Sequence, residues 1–141
     1  MSDRLDLPAG CGRPAAVAPS LSSMVVIDFQ IARAIAAMKA DPGRQWSVAA
    51  LAKIACLSRA AFARRFKKAM RVPPLRWLTE HRLKIAQTRL VETELALAAV
   101  AQEIGYVSEF AFAKTFKRMF GIAPGKFRRM AHHANPFRAA A

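Results

Sequence analysis

An all-α fold is predicted by three features of this sequence. Apolar residues recur at helical spacing, serines and prolines stand where helices would start, and strand-like alternation is missing. The stretch "FAFAKTFKRMFGIAPGKFRR", Phe110 to Arg129, shows the pattern most clearly. Phe112, Phe116 and Met119 or Phe120 fall on one helical face, while Lys114, Lys117 and Arg118 point largely elsewhere. The apolar stripe can pack into a small core and leave the basic face open to an anion.

Each element follows from local signals. Residues 1–23 are rich in Pro, Gly, Ala and Ser, have no period, and read as a disordered leader or linker. A first helix carries Ile27, Ile31, Ile35 and Met38, and "DPG" at Asp41–Gly43 ends it. Ser47 is a good N-cap for a second, which buries Val48, Leu51, Ala52 and Ala55. Ser58 caps a third, with Phe62 and Phe66 inward. Pro73 and Pro74 stop it, and Pro74 suits the first turn of the next. That fourth helix, about 74–91, has apolar residues on two sides: Leu75, Leu78 and Ile85, then Leu83, Ala86 and Leu90. A helix apolar on two sides suits a strut touched by two subdomains. Leu97, Val100, Ala101 and Ile104 mark a short fifth helix, and Ser108 caps a sixth that Gly121 ends. Pro124 begins a short seventh through Phe127 and Arg129. Residues 132–141, with His132 and His133, read as a solvated, flexible tail.

The chain also repeats itself. A shift of fifty residues pairs Phe62 with Phe112, Phe66 with Phe116, Lys67 with Lys117, Pro74 with Pro124 and Trp77 with Phe127. Upstream, Leu51 and Ala52 pair with Val100 and Ala101 at forty-nine, so the second turn holds one extra residue. Each unit is a short helix, a tight turn and a longer helix with exposed cations, which is the sequence shape of a helix-turn-helix. The outward positions are Ala60, Arg64 and Lys67 in one unit and Phe110, Lys114 and Lys117 in the other. Two such units could reach successive major grooves, roughly 34 Å apart.

Composition narrows the partner. Lys and Arg total 23 against 9 acidic residues, a net charge of +14, which calls for a polyanion: nucleic acid first, an anionic membrane surface second. No apolar run approaches the roughly 20 residues of a membrane span. The N-terminus lacks a signal-peptide pattern, so the chain reads as cytoplasmic. Two cysteines and three scattered histidines give no metal-ligand spacing. A Gly-rich phosphate loop, a nucleophile–base set and an evident effector pocket are all missing, so neither enzyme nor cofactor is expected. A sequence-blind architectural DNA binder and a cationic membrane binder are the competing classes. Neither needs two copies of one compact unit.

These residues resemble the DNA-binding domain of the AraC/XylS family of bacterial transcription regulators, over about residues 25–130. "WSVAALAKIACLSRAAFARRFKKAMRVPPLRWLTEHRL" is similar to the family's first helix-turn-helix and the start of its linker helix. "VAQEIGYVSEFAFAKTFKRMFGIAPGKFR" carries the more specific signature: the Gly-Tyr turn, the FKR-x-FG block, Pro124 and the closing Phe-Arg. The resemblance implies seven helices in two homeodomain-like helix-turn-helix subdomains bridged by the fourth. It places a DNA-binding domain at 24–131, with the first motif at about 47–71 and the second at about 96–120. It further implies binding to double-stranded promoter DNA, usually to activate transcription, with RNA polymerase as a partner.

Base-contact positions of the family map onto Arg59, Ala60, Ala63 and Arg64, and onto Glu109, Phe110, Ala113 and Lys114. Arg64 and Lys114 suit guanine or phosphate. Phe110 suits either a thymine methyl group or packing against a neighbouring helix. Glu109 fits the helix dipole before it fits cytosine N4. Phosphate candidates are Arg65, Lys68, Lys117, Arg118, Lys126 and Arg128, with the amide ends capped by Ser47 and Ser108. Cys56 stands where the first turn often has Gly, and Ala96 and Ala123 replace common capping residues.

Overall fold

The computed structural model describes residues 28–134, so the expected leader, Ile27 and most of the expected tail lie outside it. The described residues form seven α-helices: α1 Phe29–Ala40, α2 Val48–Ala55, α3 Arg59–Met70, α4 Pro74–Glu92, α5 Leu97–Glu103, α6 Glu109–Phe120 and α7 Pro124–Ala134. None of them is long and apolar enough to cross a membrane. They divide into two compact units. Unit 1 takes the residues up to Asp41 and Trp46–Trp77, and unit 2 takes Pro42–Gln45 and the chain from Leu78 onward.

In unit 1 the interior is built from Ile31, Ala34 and Met38 of α1, Leu51, Ala52 and Ala55 of α2, and Phe62 and Phe66 of α3. Asp28 caps α1 by accepting from the Gln30 N–H at 3.1 Å, and Gln30 Nε2 donates to the Ala55 carbonyl at 2.9 Å. The second contact ties the start of α1 to the end of α2, where carbonyls lack helical partners. Ser47 and Ser58 accept from Ala50 N–H and Ala61 N–H, as their positions predict.

Unit 2 repeats the plan. Leu83, Ala86 and Leu90 of α4 pack with Val100, Ala101, Ile104, Phe112 and Phe116, and Tyr106, Phe120 and Phe127 close over them. The ring pair Phe62–Phe66 in unit 1, at 5.6 Å, has its copy in Phe112–Phe116 at 5.7 Å. Phe66–Trp77 at 6.3 Å is likewise matched by Phe116–Phe127 at 5.5 Å. Residues 58–74 and 108–124 run through the same order of exposed, half-buried and buried positions without one exception. The repeat visible in the letters is therefore a repeat in packing.

Both tight turns have the same hydrogen bonds. Cys56 N–H reaches Lys53 O and Leu57 N–H reaches Ala52 O; Gly105 N–H reaches Gln102 O and Tyr106 N–H reaches Ala101 O. This is the left-handed helix ending, in which a residue just past the helix has positive φ. Cys56 has φ 59 and Gly105 φ 94, so the cysteine keeps the turn and takes on its backbone strain. The extra residue of the second turn is Val107, fully exposed between Tyr106 and Ser108.

Some details differ from the sequence reading. Leu75, expected on a buried face of α4, is 41% exposed, whereas Leu78 is buried. Helix α7 continues to Ala134, three residues into the expected tail, and takes His132 and His133 with it. The Nε2 of His132 is buried rather than solvated. Phe120, not Met119, supplies the inward side chain at the end of α6, stacking on Phe116 at 4.7 Å. Ala96 precedes α5 without a side-chain cap, as its lack of an oxygen dictates.

Candidate nucleic-acid interface

Helices α3 and α6 are the second helices of their motifs and present their polar faces outward. Each is anchored by two phenylalanines one turn apart, Phe62 and Phe66 or Phe112 and Phe116, all fully buried. Because side chains recur every 3.6 residues, fixing that stripe inward dictates what faces out. Arg59, Ala60 and Arg64 are exposed on α3, with Ala63 half-buried. Glu109, Phe110 and Lys114 are exposed on α6, with Ala113 half-buried. Phe110, for which the sequence left two readings, is 77% exposed and stands outside the aromatic cluster.

The phosphate candidates separate into two groups. Lys68, Lys117, Arg118 and Lys126 are exposed. Arg65 and Arg128 are half-buried and already held by protein. Arg65 Nη2 lies 2.6 Å from Asp28 Oδ2, and its Nε donates to the same oxygen at 2.8 Å. The pair joins α3 to the cap of α1, and since the arginine is partly solvated its worth is of order 1 kcal/mol at most. Arg128 Nε donates to the Leu90 carbonyl at 3.1 Å, and its Nη2 is buried. Sequence reasoning missed both contacts, because a basic residue in a basic helix gives no sign of a partner some forty positions away. Arg64, Arg65, Lys67 and Lys68 together line an open concavity on α3.

Ser47 and Ser108 occupy different places in the repeat. The counterpart of Ser108 is Ser58, which caps α3, whereas the counterpart of Ser47 is Ala96. Backbone N–H groups at the starts of α3 and α6 therefore carry matched caps, and those of α2 and α5 do not.

Arg82, on α4, is held by backbone carbonyls some forty positions away. Its Nε donates to Pro42 O at 2.7 Å and its Nη2 to Arg44 O at 2.6 Å. Burial lowers its pKa, with Tyr106 opposing that shift. Gln45 Nε2 donates to Gly105 O at 2.9 Å. Arg82 thus serves the architecture of unit 2. Among the described residues no group of His, Cys, Asp and Glu is placed to hold a metal ion.

Two compact units on one chain, each docking a cation-bearing second helix by paired phenylalanines, define a double helix-turn-helix protein. A signature described as a helix-turn-helix domain matches residues 51–130. The chain belongs to the AraC/XylS family of helix-turn-helix proteins. It is 40% identical over 102 residues to a putative AraC-like transcription regulator of Streptomyces lividans, covering 72% of this chain and 34% of that protein. It is also 40% identical over 95 residues to RclR of Escherichia coli K12, described as an RCS-specific transcriptional activator, covering 67% of this chain and 34% of RclR. Among solved structures, the DNA-binding domain of AdpA, a global transcriptional factor, in complex with a target DNA matches with a TM-score of 0.73 and 30% identity. That match covers 76% of this chain and 96% of the solved DNA-binding-domain chain. The chain spans about a third of the length of the curated relatives it matches.

Proposed function

We propose that this chain is the sequence-specific DNA-binding part of a cytoplasmic transcription regulator. It reads two successive major-groove segments of a promoter and acts chiefly as an activator, with RNA polymerase as its partner. The observation that carries this reading is the position-for-position repeat of burial between residues 58–74 and 108–124. A charge-driven binder requires cations but no such duplication of one docking geometry. Within the proposed DNA-binding domain, residues 24–131, Arg59, Ala60, Ala63 and Arg64 face one segment, and Glu109, Phe110, Ala113 and Lys114 face the other. Lys68, Lys117, Arg118 and Lys126 neutralise phosphates, and the capped amide ends at Ser47 and Ser108 add to them. Arg65 and Arg128 contribute through their protein partners first. Nothing in this scheme uses a catalytic group or a cofactor.

The test is a selection of binding sites from random duplexes at physiological salt, followed by Arg64→Ala and Lys114→Ala. A two-part motif is expected. Each substitution should relax one part and cost about 1–3 kcal/mol there. Recovery of no motif, with affinity falling uniformly as salt rises, would instead establish the sequence-blind architectural reading.

A further inference from the structure

Two large apolar side chains stand out on the start of α6. Val107 is fully exposed and Phe110 is 77% exposed, and they bracket Ser108, the cap of the helix. The fold does not require either one. Unit 1 has Ala60 where unit 2 has Phe110, and it has no counterpart of Val107, yet its burial pattern is the same. Neither side chain packs on the unit 2 core, which Tyr106, Phe120 and Phe127 already close. Apolar surface at the end of a recognition helix gains most where it meets an apolar group, because removing both from water is favourable.

The first residues of such a helix are the ones that meet base edges in the major groove. The apolar group displayed there is the C5-methyl of thymine, and Phe is among the side chains that contact it. Lys114, Lys117 and Arg118 are exposed on the same helix and supply attraction to a polyanion, so the apolar end is presented to DNA.

We propose that unit 2 reads thymine through its C5-methyl group, with Phe110 as the specificity-determining residue and Val107 widening the apolar contact. This rests on the DNA-binding function proposed above and adds which chemical group the second unit selects. Unit 1, which presents Arg59 and Arg64 but only alanine at the equivalent place, lacks this contact.

The experiment uses the whole chain and the duplex recovered by site selection. Each thymine of that duplex is replaced in turn by deoxyuridine, which removes only the methyl group. Affinity is measured for the wild type and for Phe110→Ala, a change at an exposed position that leaves the core intact. At one or two thymines facing unit 2, deoxyuridine should weaken wild-type binding by about fourfold, the worth of one buried methyl. The same replacement should leave Phe110→Ala nearly unaffected. A specific site at which deoxyuridine has no effect, or equal effects on both proteins, overturns the methyl-reading proposal and leaves sequence-specific binding standing. Self-association of the free chain that Phe110→Ala abolishes would also overturn it, since the apolar end would then serve a second copy. Failure to recover any specific duplex overturns the parent function, and this proposal with it.

Discussion

Units 1 and 2 share one pattern of burial but fill it differently, and the differences fall in two places. Unit 2 is the more aromatic and the better supplied with glycine: Tyr106 and Phe120 take the places of Leu57 and Met70, and Gly105 and Gly121 those of Cys56 and Arg71. Unit 1 is the more basic at its recognition helix. Arg59, Arg64, Arg65, Lys67 and Lys68 stand where unit 2 has Glu109, Lys114, Thr115, Lys117 and Arg118. A docking geometry can therefore be copied while the surface it presents diverges, because the paired phenylalanines alone fix which way each helix faces.

The largest expected break in this comparison is at the centre of each core. Phe116 stacks on Phe112, Phe120 and Phe127, while its counterpart Phe66 stacks on Phe62 and Trp77. Truncation of either to alanine leaves a large cavity and costs about 3–5 kcal/mol, with Phe116→Ala at the upper end because it loses one more ring. Urea unfolding of both variants checks the order. An equal or larger loss for Phe66→Ala would show that ring count does not set the difference.

Next in size are the helix-ending positions. Gly121 has φ 84 with nothing within 4 Å of a built Cβ, so Gly121→Ala meets only backbone strain and should cost about 1 kcal/mol. Gly105 has φ 94, and its Cβ would also lie 2.7 Å from the Gly43 carbonyl oxygen. Gly105→Ala should therefore cost distinctly more. The reverse change in unit 1, Arg71→Gly, should stabilise, since Arg71 holds φ 70. Thermal melts of the three variants rank them, and equal shifts for both alanine variants would refute the steric argument.

The smallest effect concerns pH. Burial pushes the Tyr106 phenol above its ordinary 10.0, against hydrogen bonding with Thr115 and the charges of Arg82 and Arg118. A folded-state pKa above the unfolded value means the stabilisation is complete below pH 10 and is lost as pH rises through the folded value. Wild type should lose stability faster than Tyr106→Phe between about pH 10 and the onset of alkaline unfolding. Parallel curves for the two proteins would show that the phenol does not titrate with folding.

Most of the scaffold was legible because its signals are local. The serine caps of α3 and α6, the prolines that open α4 and α7, and phenylalanines four apart act within a turn or two, and the fifty-residue shift doubled each of them. What stayed hidden acts across sequence. Asp28 with Arg65, Arg128 with Leu90 O and Arg82 with the Pro42 and Arg44 carbonyls are each fixed by where distant segments meet. The outward face of α6 was legible, yet the exposure of Phe110 was not. Its apolar character fits a core as well as a groove until the positions of its neighbours are known.

The loop Pro42–Gln45 precedes the motif of unit 1 along the chain but belongs to unit 2, where it receives Arg82 and sends Gln45 to Gly105. The duplication is thus interleaved: no single cut yields both halves whole. A fragment beginning after Trp77 would retain a complete second motif and still strand the Arg82 guanidinium among missing acceptors. Dissecting the two readers from one another calls for grafting that four-residue loop along with the downstream half, or for silencing one reader by substitution and keeping the chain uncut.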